Sequence, residues 1–289
     1  MLSQILTMPE LPEVETVRRG IAERVVGRKI LNVEIGRERS VRRVGKEAVI
    51  HGLRGNMVTE ARRRGKYLLC DLRSGDAMMI HLRMSGRVLV EAVGTSRPPH
   101  THVVCTLAAR DGTEDEMWFV DPRTFGEVVV YDPRHEVEIL PELARLGPDP
   151  ISDVFNGDVL AERLRGRRGL IKPLLLNQHV VAGIGNIYAD EILHRMKMRW
   201  NRPVDSLSRR TVNSLAACIT NVLSEAIELG GSTLEDTQYV DIEGNVGSFQ
   251  ELHRVYGREG QGCLTCGKSS IRREMVGGRS TSYCPRCQK

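Results

Sequence analysis

The hydrophobic period changes along the chain, and each change marks a different kind of structure. Val14, Val17 and Ile21 fall at helical spacing and Gly27 follows as a stop, which predicts a helix from about Leu11 to Val26. Between Lys29 and Tyr131 the texture becomes short β-rich runs: Ile30–Ile35, Tyr67–Leu72, Ala77–Leu82, Arg87–Glu91, His102–Leu107, Met117–Val120 and Glu127–Tyr131. Several alternate apolar and polar, and Gly, Asp, Ser or Pro separate them. That is the pattern of an antiparallel sandwich or barrel. No long crossover helix intervenes, which argues against a parallel sheet.

The stretch from Pro133 to Pro150 reads as a linker, rich in Pro and charge, and Leu146-Gly147-Pro148-Asp149-Pro150 can propagate neither helix nor strand. Past it the period is helical: Asp158–Leu164, Leu170–Leu176, about Asn186 to Met196, and Ser208 to Leu229. The last carries one apolar stripe through Val212, Leu215, Ile219, Val222 and Ala226, and Gly230-Gly231 ends it. Ser232 to Gly247 is polar with few apolar anchors and reads as a mobile loop, a lid or a reader. The expected fold is α+β and multidomain. An N-terminal helix plus antiparallel β-sandwich spans 8–133, a linker 134–150, a helical helix–two-turns–helix domain 151–250 and a zinc-ribbon finger 251–289.

Composition narrows the class. The 289 residues are 40% hydrophobic and only 4% aromatic, so aliphatic packing carries the core. A net charge of +5 permits a nucleic-acid partner without demanding one. No apolar run is long enough to span a bilayer, and Met1 to Thr7 lacks the basic start of a secretory signal. The expectation is a cytoplasmic protein with no membrane partner. Of seven cysteines, Cys70, Cys105 and Cys218 are isolated in apolar patterns and four are bunched at the end, which suits a metal site plus buried thiols.

Those four carry the most specific chemistry. Cys263-x-x-Cys266 and Cys284-x-x-Cys287 offer four thiolates for one tetrahedral Zn²⁺ at zinc-ribbon spacing. The set is closed, so the ion is structural. Arg272, Arg273 and Arg279 lie between the pairs and read either as DNA contacts or as surface charge. Gly183 and Gly185 precede a helix, a turn that brings backbone N–H groups to an anion, usually phosphate. Arg62-Arg63-Arg64-Gly65-Lys66 is a solvated face or a phosphate-contact loop. Met84 sits at a Gly-bounded turn and would suit a wedge entering a base stack. Asp121-Pro122-Arg123-Thr124-Phe125-Gly126 is a tight turn with either a buried Phe or an exposed Arg/Phe pair.

The N-terminal stretch Met8-Pro9-Glu10-Leu11-Pro12-Glu13-Val14-Glu15-Thr16 has two readings. Pro followed by acids is an ordinary helix start. A Pro9 freed by removal of Met8 would instead be a secondary amine. An α-amino pKa of about 8, against about 10.4 for lysine, leaves a usable nucleophile at neutral pH. Glu10 and Glu13 would then supply acid and base functions.

This stretch closely resembles the opening of bacterial formamidopyrimidine-DNA glycosylases, the MutM-type enzymes of base-excision repair. Further segments resemble that family in the same order: Lys66 before a strand, His81-Leu82-Arg83-Met84-Ser85-Gly86, the Asp121–Gly126 turn, Gly183-Ile184-Gly185-Asn186-Ile187-Tyr188 and the four-cysteine finger. Together they cover nearly all of Met8 to Lys289. The related endonuclease VIII type opens Pro-Glu-Gly; Leu11 stands there here, which favours the purine-directed type.

The resemblance implies a glycosylase and abasic-site lyase for 8-oxoguanine and formamidopyrimidines in duplex DNA, a nucleoid-associated bacterial monomer with one zinc ion. Pro9 would attack C1′, Glu10 would act as acid and base at the sugar, Glu13 would support it, and Lys66 would hold a nearby phosphate. Met84, Arg123 and Phe125 would fill the gap left by the flipped base, with Arg123 pairing the orphaned cytosine. Asn186 and Arg279 would grip flanking phosphates, and Lys172 resembles a further DNA contact. The loop around Thr237–Val246 resembles the one that covers the flipped base. Two alternatives stand beside this. An endonuclease VIII-like enzyme would take oxidised pyrimidines. If Met1 to Thr7 were retained, the Pro9 nitrogen would be an amide and the chain a lesion-binding module without catalysis.

Overall fold

The computed structural model describes residues 8–234 and 239–289. Helix α1 (Leu11–Arg24) opens the chain, with Pro12 in its first turn. Two four-stranded antiparallel sheets follow. One has the order β1-β6-β7-β5, built from Ile30–Ile35, Thr101–Arg110, Thr113–Val120 and Arg87–Ala92. The other has the order β2-β3-β4-β8, built from Val58–Arg64, Tyr67–Leu72, Ala77–His81 and Glu127–Tyr131. Their inner faces form one core: Val33, Cys105 and Phe119 of the first sheet join Leu68, Met78, Ile80 and Val128 of the second. Val14, Val17 and Ile21 of α1 complete it.

Within the β region two elements, a helix and a strand, are absent from the hydrophobic pattern. Helix α2 (Lys46–Leu53) buries only Val49 and Leu53, too few to show a period. Strand β2 is hidden by Arg62-Arg63-Arg64. Within this run the readings divide: Arg62 and Arg64 are part-exposed and ion-paired, whereas Arg63 is enclosed and belongs to neither a solvated face nor a phosphate loop. Arg62 pairs with Asp71 and Arg64 with Glu136. Arg63, its side chain fully buried, binds Asp149 and Glu15.

The segment 134–150 is packed, not extended. It holds two short helices, α3 (Glu136–Ile139) and α4 (Pro141–Ala144). Leu140 and Leu143 cover the outer face of the second sheet against Tyr67, Met79, Val129 and Tyr131. That cover explains why β4 and β8 are buried along their whole length instead of alternating.

A second core is helical: α5 (Gly157–Leu164), α6 (Ile171–Leu175), α7 (Asn186–Arg195) and α8 (Arg209–Glu228). Asn156 and Ser208 cap α5 and α8 by accepting backbone N–H groups. Leu11 of α1 belongs to this core, so α1 has a foot in both. The described part of the 232–247 loop is well anchored, contrary to its polar composition. Tyr239 and Ile242 are buried in the sandwich core, and Ile242 O accepts from Val90 N at 2.8 Å. The loop expectation for Thr237 falls outside the described residues. The finger ends the chain as a hairpin, β9 (Arg272–Val276) with β10 (Arg279–Tyr283). Among the described residues no helix is long and apolar enough to cross a membrane.

Candidate active site and nucleic-acid interface

Pro9 is buried directly before α1. Glu10 N donates to Glu13 Oε2 at 2.8 Å, which fixes the first turn. The Glu10 carboxylate faces the start of α7, where Gly185 N–H donates to Oε2 at 2.6 Å and Ile187 N–H to Oε1 at 2.9 Å. The anion at this helix N-terminus is therefore a side chain of the chain itself. The phosphate reading of Gly183 and Gly185 is corrected accordingly. A Cβ on Gly185 would lie 2.3 Å from Glu10 Cδ, and one on Gly183 2.4 Å from Leu11 Cδ1. Only glycines admit the N-terminal turn so closely.

Glu13 is held from three sides. It accepts from Tyr188 Oη at 2.5 Å, from Ser232 N at 2.7 Å and from Glu10 N. Gly231 gives it room, since a Cβ there would lie 2.6 Å from Glu13 Oε1. Burial pushes the Glu10 carboxyl up to about 7, opposed chiefly by the charge of Lys66. Burial raises Glu13 and lowers Lys66, and Arg279 lowers Lys66 further. An acid poised near neutrality can give up or take a proton at working pH.

Lys66 is buried and its ammonium makes no hydrogen bond or ion pair among the described residues. Its field is shared with Arg279, which stands exposed at the start of β10. Asn186, first residue of α7, reaches Ser280 Oγ with Nδ2 at 3.2 Å, while its Oδ1 is buried with no partner among the described residues. Lys172 is not at the surface. Its side chain is 2% exposed, pairs with Asp190 at 2.6 Å, and donates to Ser280 O and Thr281 Oγ1. A direct DNA contact is sterically closed to it. Asp190 also accepts from Ser282 N at 2.8 Å. The buried Lys172–Asp190 pair thus docks the finger hairpin on α6 and α7 and sets where Arg279 stands.

The two sandwich turns form a second cluster. Phe125 is 42% exposed, so the buried-Phe reading of that turn fails, and the Arg123 guanidinium lies 5.3 Å from its ring centroid. Met84 is half-buried. Both turns hang on the fully buried Asp121. Ser85 Oγ donates to Asp121 Oδ1 at 2.5 Å, and Gly126 N donates to Oδ2 at 2.7 Å. Arg123 N reaches Ser85 Oγ at 3.2 Å and Asp121 Oδ1 at 3.3 Å. The three candidate wedge residues are therefore carried on one hydrogen-bonded frame.

The cysteine Sγ atoms of Cys263, Cys266, Cys284 and Cys287 lie within 4.8 Å of one another, with 263–287 and 266–284 at 3.8 Å. A tetrahedral zinc with Zn–S of about 2.3 Å needs S···S edges of about 3.8 Å. The donors fit one structural zinc ion, whose binding supplies folding energy to a small finger core of Val255, Ile271 and the cysteines.

Sequence reasoning missed Tyr188, Ser232, Asp121 and Asp190. The motifs contain Tyr188 and Asp121, but nothing in linear spacing brings Ser232 to Glu13, 219 residues away.

Three family models match in order: formamidopyrimidine-DNA glycosylase N-terminal domain over residues 8–128, formamidopyrimidine-DNA glycosylase H2TH domain over 146–238, and zinc finger found in FPG and IleRS over 260–289. Formamidopyrimidine-DNA glycosylase from Corynebacterium jeikeium is 40% identical, covering 98% of this chain and 100% of that protein. The Cereibacter sphaeroides protein of the same name is 43% identical with the same coverage. Among solved structures, Lactococcus lactis Fpg (MutM) in complex with Fapy-dG-containing DNA superposes with a TM-score of 0.86 at 34% identity, covering 97% of this chain and 100% of that one. The same protein with abasic-site DNA gives 0.87 at 34% identity, covering 97% and 99%. With these matches running the length of the chain and the cysteine set in place, the chain belongs to the formamidopyrimidine-DNA glycosylase family.

Proposed function

We propose that the chain is a bifunctional glycosylase and abasic-site lyase that removes 8-oxoguanine and formamidopyrimidines from duplex DNA in base-excision repair. The observation that carries this is the buried Glu10–Glu13 pair beside Pro9, held by α7 and Gly231-Ser232 with Lys66 alongside. Relatives named formamidopyrimidine-DNA glycosylase match over their full length, and solved relatives hold Fapy-dG or abasic-site DNA.

In this reading the Pro9 nitrogen lone pair attacks C1′ of an extruded nucleotide, the bond from C1′ to the base breaks with its electron pair, and the departing base takes up the proton that the Pro9 nitrogen gives up. Glu10 delivers a proton to the sugar ring oxygen as the ring opens, leaving an iminium ion. A C2′ proton is then lost and the 3′ phosphate departs, and a second elimination releases the 5′ phosphate. Extrusion costs a few kcal/mol. Met84, Arg123 and Phe125 offset part of it by filling the stack. Lys66, Asn186 and Arg279 hold phosphates, while Lys172 positions Arg279 without touching DNA. The division at 134–150 belongs to the same reading, supported by separate sandwich and helical cores.

The reading requires Pro9 to carry a free amine, and the N-terminal family match begins at residue 8. Borohydride trapping on an 8-oxoguanine:C duplex, with mass spectrometry of the cross-linked peptide, tests it. The chain beginning at Pro9 should trap on Pro9, and Pro9→Gly should lose lyase activity. Full strand cleavage by Pro9→Gly, or a trap on another residue, overturns the assignment. A thymine-glycol duplex cleaved faster than 8-oxoguanine:C would transfer the preference to pyrimidines.

A further inference from the structure

We propose that the groove between α5 and the start of α8 docks an acidic, apolar-containing peptide segment of a partner protein. The hollow encloses about 610 Å³. Its floor includes Leu164, Leu207 and Val212, and its rim carries Arg165, Arg167, Arg168 and Arg209 against a single lining acid, Asp205. The guanidinium groups of Arg165 and Arg168 are exposed and make no hydrogen bond or ion pair among the described residues. Arg167 is held in place by Arg163 O at 2.7 Å.

Comparison with the cavity at the end of α1 shows what is distinctive. That cavity has nearly the same volume, about 630 Å³, and its own arginines. There Arg28 is paired with Asp115 and Arg24 with Glu243. Its charge is answered within the chain. On the α5–α8 rim Arg209 is likewise paired, with Asp158, but Arg165 and Arg168 are left as cations over an apolar floor.

Position and chemistry favour a peptide over a DNA backbone. Helix α8 runs from Arg209 to Glu228, roughly 28 Å at about 1.5 Å per residue, and it is the far end that delivers Ser232 to Glu13. Lys172, just beyond the arginine loop, is covered by Ser280 and Thr281 of the finger. Phosphates call for cations alone. A segment bearing carboxylates and apolar side chains uses both rim and floor.

The test is fluorescence anisotropy with the full chain and a short fluorescein-labelled peptide alternating aspartate with leucine and phenylalanine. A second peptide of equal charge carries serine in place of the apolar residues. Saturable micromolar binding is expected. It should be about tenfold weaker or worse for the serine peptide and for Arg165→Glu/Arg168→Glu, and undisplaced by lesion-free duplex. The double variant should cleave 8-oxoguanine:C at the unmodified rate, which also reports its folding. Absence of saturable binding, equal binding of both peptides, or full binding by the double variant refutes the site. Displacement by duplex would assign the groove to DNA instead. The two-peptide comparison uses the unmodified chain, so it decides even if the variant misfolds.

Discussion

Gly185→Ala isolates the placement of Glu10 from every other property of the site. Gly185 has φ −124°, which alanine adopts freely, so the substitution adds no backbone strain. What it adds is a Cβ 2.3 Å from Glu10 Cδ and 2.5 Å from Oε1, backed by a helix terminus that cannot retreat. Ordinary contact begins near about 3.5 Å, so the carboxylate must withdraw by about 1 Å. That motion loosens its 2.6 Å and 2.9 Å bonds to Gly185 and Ile187. Misplacing a reacting group by about 1 Å costs on the order of 100-fold in rate. Overpacking at a buried site costs about 1–3 kcal/mol of stability. Single-turnover cleavage of an 8-oxoguanine:C duplex with enzyme in excess should fall about 100-fold, while affinity for a duplex with an uncleavable abasic analogue stays within about threefold. A cleavage rate within about threefold of the unmodified chain would refute the claim that this contact sets the geometry of Glu10.

Cys266→Ser should release zinc and abolish duplex binding; retained affinity in a metal-free preparation would show the finger to be peripheral. Asp121→Asn puts an NH2 donor in place of one of the two carboxylate oxygens that accept from Ser85 and Gly126, a loss of about 1.5–3 kcal/mol for that bond. It should slow base extrusion, read by 2-aminopurine fluorescence, and spare trapping at a pre-formed abasic site. Equal slowing of both steps would place its role elsewhere. Glu10 also gives stability a pH dependence. Its carboxyl is raised to about 7 in the folded chain from 4.5, so it favours folding fully below about pH 4.5 and loses that contribution as pH rises through 7. Between pH 5 and 8 the loss is of order 2 kcal/mol, at about 1.4 kcal/mol per unit. Glu10→Gln should shrink the gap in urea midpoint between those pH values, leaving a residual slope from Asp190, also raised to about 7 by burial. An unchanged gap would mean that Glu10 ionises normally.

Elements with strong periodicity were legible from the chain. The α8 stripe and the strands Ile30–Ile35, Tyr67–Leu72 and Glu127–Tyr131 have the observed limits or nearly so. What composition concealed was burial achieved by pairing. Arg63 looks like surface charge in sequence because Asp149 and Glu15, which neutralise it, lie 86 and 48 residues away. Lys172 is the same case: the family resemblance suggests a DNA contact, but Asp190 and the finger strand enclose it. The glycines at 183 and 185 were legible as a close approach, yet the approaching group was not, and Gly230-Gly231 read only as a helix stop. Gly185 admits a carboxylate and Gly231 another, and neither pairing is local.

The same long-range pairings explain how Pro9, the residue proposed as nucleophile, is held in one place. Here α1 is committed to both cores, with Leu11 in the helical one and Val14, Val17 and Ile21 in the sandwich. Arg63 then ties Glu15, one turn beyond Glu10 in α1, to Asp149 of the segment joining the cores, all three buried. Breaking a buried pair by removing one partner costs about 3–5 kcal/mol. Relative motion of the cores large enough to carry Pro9 away from Glu10's partners on α7 must disturb that clamp. The Pro9–Glu10 turn is thus held by the interface between the cores, and Arg63, one residue of an arginine run that resembles surface charge, is what closes it.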